Sequence, residues 1–332
     1  MIKIRILLYS EDLRDPVSYY RGMAPMIELS RDYLDIYFMT INGQTAEMPT
    51  WAELSQFDIV MLQRPASLFA YQVAIQAQLC ACKVIVDYDD LLTDVPKENP
   101  TYDYYMRKDT QLYITQILLR HDFLKIVSTP FLKRAYEKLG ATNIHVVPNA
   151  LHKRLMDSPD FSYGKAQTDF SWRGSATHEL DLFEYRDQIH EAMGSVEYIG
   201  FRPNTLMREG FDKFTKPMPV MDYYYNLRNN VRNNFFVTLC DSDFNKSKSN
   251  IAYIEATWAG AVVLAPDWEE WCLPGCVTYS SKEDFVVKAK EILSMNMDAR
   301  KRLWLQAANH INDNMTLDKM NEKRYELIRS LL

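Results

Sequence analysis

Apolar positions along this chain follow two alternating rhythms. Short apolar runs at 2–9, 35–41, 57–63, 83–87, 125–128 and 144–147 alternate with longer segments of helical spacing at 18–31, 68–79 and 130–139. Runs apolar on both faces are what parallel strands need when helices cover both sides of a sheet, and the intervening segments predict those helices. Gly140 follows the third helical segment where a C′ glycine would end it, and Pro148-Asn149 closes the half. One doubly wound domain over 1–150 is expected. Residues 151–168 are polar, hold Pro159 and Gly164 and show no period, so they predict a linker. The alternation then restarts, with strands expected at 169–172, 196–201, 235–239 and 261–265 and helices at 177–193, 223–230, 249–259, 283–293, 298–311 and 317–331. The expected fold class is α/β, two doubly wound domains facing across a cleft: 1–150, then 169–316, followed by a closing helix within 317–332. Ligands in such sheets bind beyond the carboxyl ends of the strands. A single larger α/β domain is the alternative.

Composition narrows the class. The 332 residues are 47% hydrophobic and 25% charged, which excludes disorder and fibrous repeats. With Lys+Arg 38 and Asp+Glu 44 the formal net charge is −6, so a polyanionic partner would need a local basic patch. Lys3 and Arg5 interrupt the first apolar run, and no stretch is apolar for the roughly 18 residues that suggest a membrane span. A cytoplasmic protein without membrane insertion is expected. Cys80, Cys82, Cys240, Cys272 and Cys276 are odd in number, and neither close pair has zinc-knuckle spacing, so reduced thiols and no metal are expected.

Two segments carry candidate chemistry. From Phe244 to Ala265 a strand end leads through a loop with Lys246 and Lys248 into a helix starting near Ser249 or Asn250, both good N-caps. Ammonium groups beside the free N–H groups of a helix start suit a phosphate. Glu255 lies farther along that helix among apolar residues, where two ribose hydroxyls would satisfy its carboxylate. Otherwise Ser249 merely caps, the lysines are solvated and Glu255 faces water. The second segment, Trp172 to Leu182, follows the first strand of the second half. Gly174 permits close approach of a ligand, Ser175 or Thr177 can cap the next helix, and Arg173 and His178 add donors; an ordinary capped turn fits equally.

Both segments, in this order, resemble the carboxyl-terminal domain of GT-B glycosyltransferases, in particular the group-one family and its phage and bacterial relatives, with a Gly-Ser-x-x-His turn at Gly174–His178 and a Phe-Asn-x-Ser-Lys loop at Phe244–Lys248, then Glu255 and Gly260. The amino half is similar at Tyr19-Tyr20-Arg21, Gln63-Arg64, Asp87-Tyr88-Asp89-Asp90, Ser128-Thr129-Pro130 and Pro148-Asn149. The resemblance implies two Rossmann-like domains and a nucleotide-sugar donor, UDP-linked by preference. Glu255 would take the ribose, Lys248, Ser249 and Asn250 the diphosphate, and Arg173, Gly174, Ser175 and His178 would line the same cleft. One position departs: the family's first glutamate, eight residues before the second, is Ser247 here, which puts donor-sugar contacts in doubt.

Sugar transfer needs a stabilised leaving diphosphate and a route for the acceptor proton. The resemblance favours retention slightly; for an inverting enzyme Asp12, Asp89 and Asp90 are the candidate bases. Arg21, Tyr20 and Arg64 are placed on the acceptor or sugar side, with a salt bridge from Arg21 to an aspartate as the alternative. The Asp-x-Asp within 87–90 suggests a metal-dependent GT-A enzyme, but the repeated α/β halves argue against that fold, and GT-B members generally need no metal and no other cofactor. The acceptor is open between DNA, such as a hydroxymethylated pyrimidine reached by base flipping, and a glycan or small molecule. Local basic residues at Arg228, Arg232, Lys246 and Lys248, or Lys133, Arg134 and Lys138, would serve DNA. A non-catalytic nucleotide-binding protein of the same fold is the rival class.

Overall fold

The computed structural model describes residues 3–31, 33–40, 47–152, 169–230 and 234–332. The predicted linker falls almost wholly at 153–168, outside the described residues, as does Arg232. Among the described residues twelve strands form two six-stranded sheets. The first comprises β1 (Ile4–Ser10), β2 (Leu34–Thr40), β3 (Ile59–Gln63), β4 (Lys83–Tyr88), β5 (Leu124–Val127) and β6 (Ile144–Val146), in the order β2-β1-β3-β4-β5-β6. The second comprises β7 (Phe170–Arg173), β8 (Val196–Ile199), β9 (Lys213–Thr215), β10 (Asn234–Phe236), β11 (Val262–Pro266) and β12 (Val277–Tyr279), in the order β12-β11-β10-β7-β8-β9. Every pairing is parallel.

Burial explains the runs. All five residues of β3 and of β11 are buried, so these strands show near-continuous apolar sequence, broken only by Gln63 at the end of β3, rather than alternation. One face of the first sheet packs Val60, Leu62, Val84 and Val86 on the helix Leu68–Leu79, while the other packs Ile6, Leu8, Ile59 and Met61 under Ala24 and Met26. The last helix, Leu317–Ser330, joins that second face through Leu317, Met320 and Ile328. Its Asn321 donates to the Pro25 carbonyl at 3.0 Å, and Tyr325 stacks on Tyr33. The closing helix therefore returns to the amino-terminal sheet.

Two expected elements differ. The helix expected over 177–193 is three pieces, a 3₁₀ turn Ala176–His178 and the helices Glu179–Glu184 and Arg186–Ala192, broken where Tyr185 leaves helical geometry to pack on Tyr279 and Phe285. The first helix is a composite: α-helical at Pro16–Ser18 and Ala24–Ser30, with a π-helical turn at Tyr19–Met23 between them. Among the described residues no helix is long and apolar enough to cross a membrane.

Candidate active site

The carboxyl ends of the two sheets face one another across a cavity of about 550 Å³, lined from the first sheet by residues following β1, β3 and β4 and from the second by residues following β7 and β10. Charged side chains from both halves meet there, and they are held by hydrogen bonds rather than by solvent.

On the second-sheet side the helix Ile251–Trp258 starts at the cavity, with Ile251, Ala252, Lys248 and Ser249 in its wall. The first N–H groups of a helix lack intrahelical acceptors and carry the positive end of its dipole. Lys248 lies over the Phe244 ring at 4.5 Å, with its Nζ 3.4 Å from Asp90 Oδ1 of the opposite half. Ser249 Oγ accepts from Asn149 Nδ2 at 2.7 Å, again across the cleft. Asn250 is turned away: its Nδ2 donates to the Glu270 carbonyl at 3.2 Å, and it is not among the residues lining the cavity. A diphosphate contact from the Asn250 side chain is therefore not offered by this arrangement. Ser247 is fully buried and donates to the Phe244 carbonyl at 2.7 Å.

Glu255 is 2% exposed and lines the same cavity. Tyr223 Oη donates to its Oε2 at 2.8 Å, Arg173 Nε lies 2.8 Å from that same oxygen, and the Tyr20 hydroxyl of the opposite half donates to Oε1. Burial, then the charge of Glu255, pushes the Tyr20 and Tyr223 hydroxyls well above the usual tyrosine range, so both remain donors.

Gly174 sits where any Cβ would come within 2.4 Å of the Trp172 ring, and its carbonyl lies 2.6 Å from where Gly200, at φ +91°, would carry one. The close βα turn thus needs both glycines. Ser175 caps the 3₁₀ turn, and its Oγ is also 2.7 Å from Thr177 Oγ1. His178 Nδ1 is 2.8 Å from Asp181 Oδ2, and the other oxygen of Asp181 accepts from the Cys240 N–H and Asn245 Nδ2. Burial lowers the His178 pKa more than Asp181 raises it, with Lys248 adding to the lowering. The imidazole is neutral at pH 7, its Nδ1 committed to Asp181.

On the first-sheet side Arg64 has φ 48°, an uncommon conformation for a non-glycine residue. Its Nη2 reaches Asp89 at 3.0 Å and also Asp90, so Arg64 stands between the two carboxylates and Asp90 continues the chain to Lys248. Burial raises Asp89 to about 6, only partly offset by Arg64; burial opposes ionisation of Asp90 too, but Lys248 and Arg64 outweigh it and hold its carboxyl below the usual range.

Two sequence candidates are engaged in other pairings. Asp12 makes a bidentate pair with Arg14 at 2.9 Å and is not among the cavity-lining residues; its side chain is 40% exposed. Arg21 does border the cavity, but it is fully buried and bidentate to Asp87 at 2.9 and 2.8 Å, with Nη1 on the Val147 carbonyl. It joins strands rather than offering a cation to a ligand. Conversely Asp15 and Tyr223 line the site outside every motif singled out in the sequence, and Asp181 supports it from behind through His178. Asp15 lines the cavity and caps the first helix through the Val17 N–H at 3.3 Å. Its signal, Asp before Pro at a helix start, was available.

The sequence matches no family model and no curated protein. Solved structures match in shape. Sucrose-phosphate synthase from Thermosynechococcus elongatus is similar with a TM-score of 0.69 at 12% identity, covering 99% of each chain. An alpha-glucosyltransferase in complex with UDP and a 13-mer DNA containing an A:G mismatch is similar with a TM-score of 0.68 at 8% identity, covering 99% of this chain and 100% of that one. An alpha-glucosyltransferase in complex with UDP and a 13-mer DNA containing a HMU base gives 0.65 at 8% identity over 98% and 100%. The chain has the GT-B fold.

In GT-B terms the cavity is the interdomain cleft, and contacts between the domains frame it. Thr129 Oγ1 donates to the Ser247 carbonyl at 2.9 Å, and Arg134 pairs with Glu269. The expected basic runs are largely neutralised: Lys133 pairs with Glu137, Arg134 with Glu269, Lys246 with Asp241 and Lys248 with Asp90. The side chain of Arg228 lies, with Arg232, outside the described residues.

Proposed function

We propose that the chain is a glycosyltransferase that moves a sugar from a nucleoside-diphosphate sugar, UDP-linked by preference, to a hydroxyl acceptor. The observation that carries this reading is the buried Glu255 in one cavity with Lys248 and the helix start it follows. Lys248 and the first N–H groups of Ile251–Trp258 would neutralise the departing diphosphate, and Glu255 would hold the pentose. Ser249 would add a diphosphate contact; Arg173, Gly174, Ser175 and His178 would border the donor. Asp89 and Asp90 are committed to Arg64 and Lys248, which supports a retaining reaction over one using either as a free base. Asp15 would meet the acceptor side. A metal is not required by this scheme, since the ammonium and helix start supply the positive charge.

For the acceptor, the DNA-bound structures of the same fold support a hydroxymethylated pyrimidine, while the net charge of −6 and the paired cations support a glycan or small molecule. The domain division at 150 and 169, and a cytoplasmic location, complete the proposal. Ser247 in place of the family's glutamate favours one second reading, a nucleotide-binding protein without turnover. Incubation with a panel of nucleotide sugars separates them: UDP release is expected, and Lys248→Ala and Glu255→Ala should each weaken donor binding. Parent-like behaviour of both variants would remove the site assignment. Mass spectrometry of DNA and glycans from the same incubations identifies the acceptor.

A further inference from the structure

The π-helical turn at Tyr19–Met23 sets two neighbouring side chains to different tasks. It turns Arg21 into the first domain, fully buried, and carries Tyr20 across to the second. Single π turns inside α-helices are frequently found at functional sites. Tyr20 reaches Glu255, 235 residues away in sequence, and its hydroxyl donates to Oε1. Around that bond Tyr19 and Tyr20 pack on Tyr224 with ring centroids 6.1 and 5.9 Å apart, and Tyr224 packs on Tyr223 at 6.0 Å.

This arrangement crowds Glu255 where a pentose would have to reach it. Oε2 accepts from Tyr223 and lies 2.8 Å from Arg173 Nε in an ion pair, both from its own domain, and Oε1 accepts from Tyr20 of the other. Each carboxylate oxygen offers two acceptor sites, so one on each stays unused, but at 2% exposure there is little open room for a pentose hydroxyl to reach Oε1 while Tyr20 is seated on it. A tyrosine hydroxyl and a pentose hydroxyl present the same O–H to the carboxylate, so one can replace the other at small net cost.

We propose that Tyr20 is a built-in competitor for the pentose seat: its hydroxyl holds Glu255 in the nucleotide-free chain, and a ribose hydroxyl of the donor displaces it. The inference rests on the reading of Glu255 as the pentose ligand. Donor binding is then coupled to release of one interdomain contact, and the apparent donor affinity is lowered by the fraction of molecules in which Tyr20 occupies the seat. Tyr223 plays no such part, because it shares a domain with Glu255 and can keep its bond in either state.

The test is calorimetric titration of the full chain with UDP and with 2′,3′-dideoxy-UDP, for the parent, Tyr20→Phe, Tyr223→Phe and Glu255→Gln. Tyr20→Phe should bind UDP about tenfold more tightly, the equivalent of one hydrogen bond, with no gain for the dideoxy nucleotide. Tyr223→Phe should show no gain. Unchanged or weaker UDP binding by Tyr20→Phe, or an equal gain for the dideoxy nucleotide, overturns the competition while leaving Glu255 as pentose ligand if Glu255→Gln loses affinity. A Glu255→Gln variant that binds like the parent, or a parent that binds no UDP, removes both readings. A second measurement needs no variant: on adding UDP to the parent, deuterium uptake by the peptide containing Tyr19–Met23 should rise, and a fall contradicts displacement.

Discussion

Asp90 Oδ1 lies 3.4 Å from Lys248 Nζ, a contact that joins the carboxyl end of one sheet to the phosphate-suited loop of the other. A diphosphate arriving at Lys248 meets the negative charge of Asp90 as well as the positive charge of the lysine. Charges about 4 Å apart interact by about 1 kcal/mol in water and about 4 kcal/mol at an effective dielectric of 20. Asp90→Asn should therefore tighten UDP binding by at least about fivefold, whereas Lys248→Ala should weaken it by a similar or larger factor. Titrations at low and high salt check both, since the two opposed effects should shrink together as salt rises.

The Arg21–Asp87 pair predicts stability rather than activity. Both side chains are fully buried, and breaking such a pair by removing one partner costs about 3–5 kcal/mol because the other charge is stranded. Arg324, also fully buried, feels the charges of the same pair; burial first, then Arg21, lowers its pKa to about 9. Asp87 pairs with Arg21 and also offsets, at longer range, the buried charge of Arg324, so Asp87→Ala should destabilise more than Arg21→Ala. Urea unfolding of both variants measures the order, and Arg21→Lys should recover only part of the loss because an ammonium cannot reproduce the bidentate geometry.

Glu270 predicts a pH dependence. Burial, helped by the neighbouring Glu269, raises its pKa to about 7. A carboxyl group whose pKa is higher in the folded chain than in the unfolded one contributes stability in full below the ordinary carboxylate range, and that contribution is lost as pH rises through the folded value. Stability should thus decline between about pH 5 and about pH 8 by up to about 3 kcal/mol, at about 1.4 kcal/mol per pKa unit. Glu270→Gln keeps an acceptor for Asn250 and should remove this component, so that it exceeds the parent in stability at the alkaline end and not at the acidic end. Urea midpoints across that range decide it.

What the sequence reveals about this fold depends on how local the cause is. The strands are legible because β3 and β11 are buried along their whole length and are apolar almost throughout, Gln63 at the end of β3 excepted. The loop before Glu255 is legible because lysines, a helix start and a carboxylate lie within one short window. β9 (Lys-Phe-Thr) and β12 (Val-Thr-Tyr) escape notice because neither short edge strand carries an apolar run, unlike β6, whose Ile144 and Val146 continue into Val147. Tyr20 on Glu255, Asn149 on Ser249 and Asp90 on Lys248 are contacts between domains, and no pattern along the chain encodes which side chains meet across a cleft. The same limit applies within one motif: Asp87 is buried against Arg21 while Asp89 and Asp90 face the cavity, a division that depends on where β4 ends.

Ser247 gives the last prediction, because it occupies the position where the resembled family carries its first glutamate. Its side chain is fully buried and bonded to the Phe244 carbonyl, while its own carbonyl accepts from Thr129 of the other domain. The hydroxyl therefore supports the loop and does not reach the cavity. Ser247→Ala should lose about 1 kcal/mol of stability and change UDP affinity by no more than about twofold, since only an internal hydrogen bond is removed. Ser247→Glu should not restore a donor-sugar contact: a carboxylate forced into this buried position lacks room and donors, and should destabilise by several kcal/mol. Unfolding in urea and UDP titration of both variants check this. A Ser247→Glu chain that folds like the parent and binds a UDP-sugar more tightly would show that the loop opens the family's usual contact to this position.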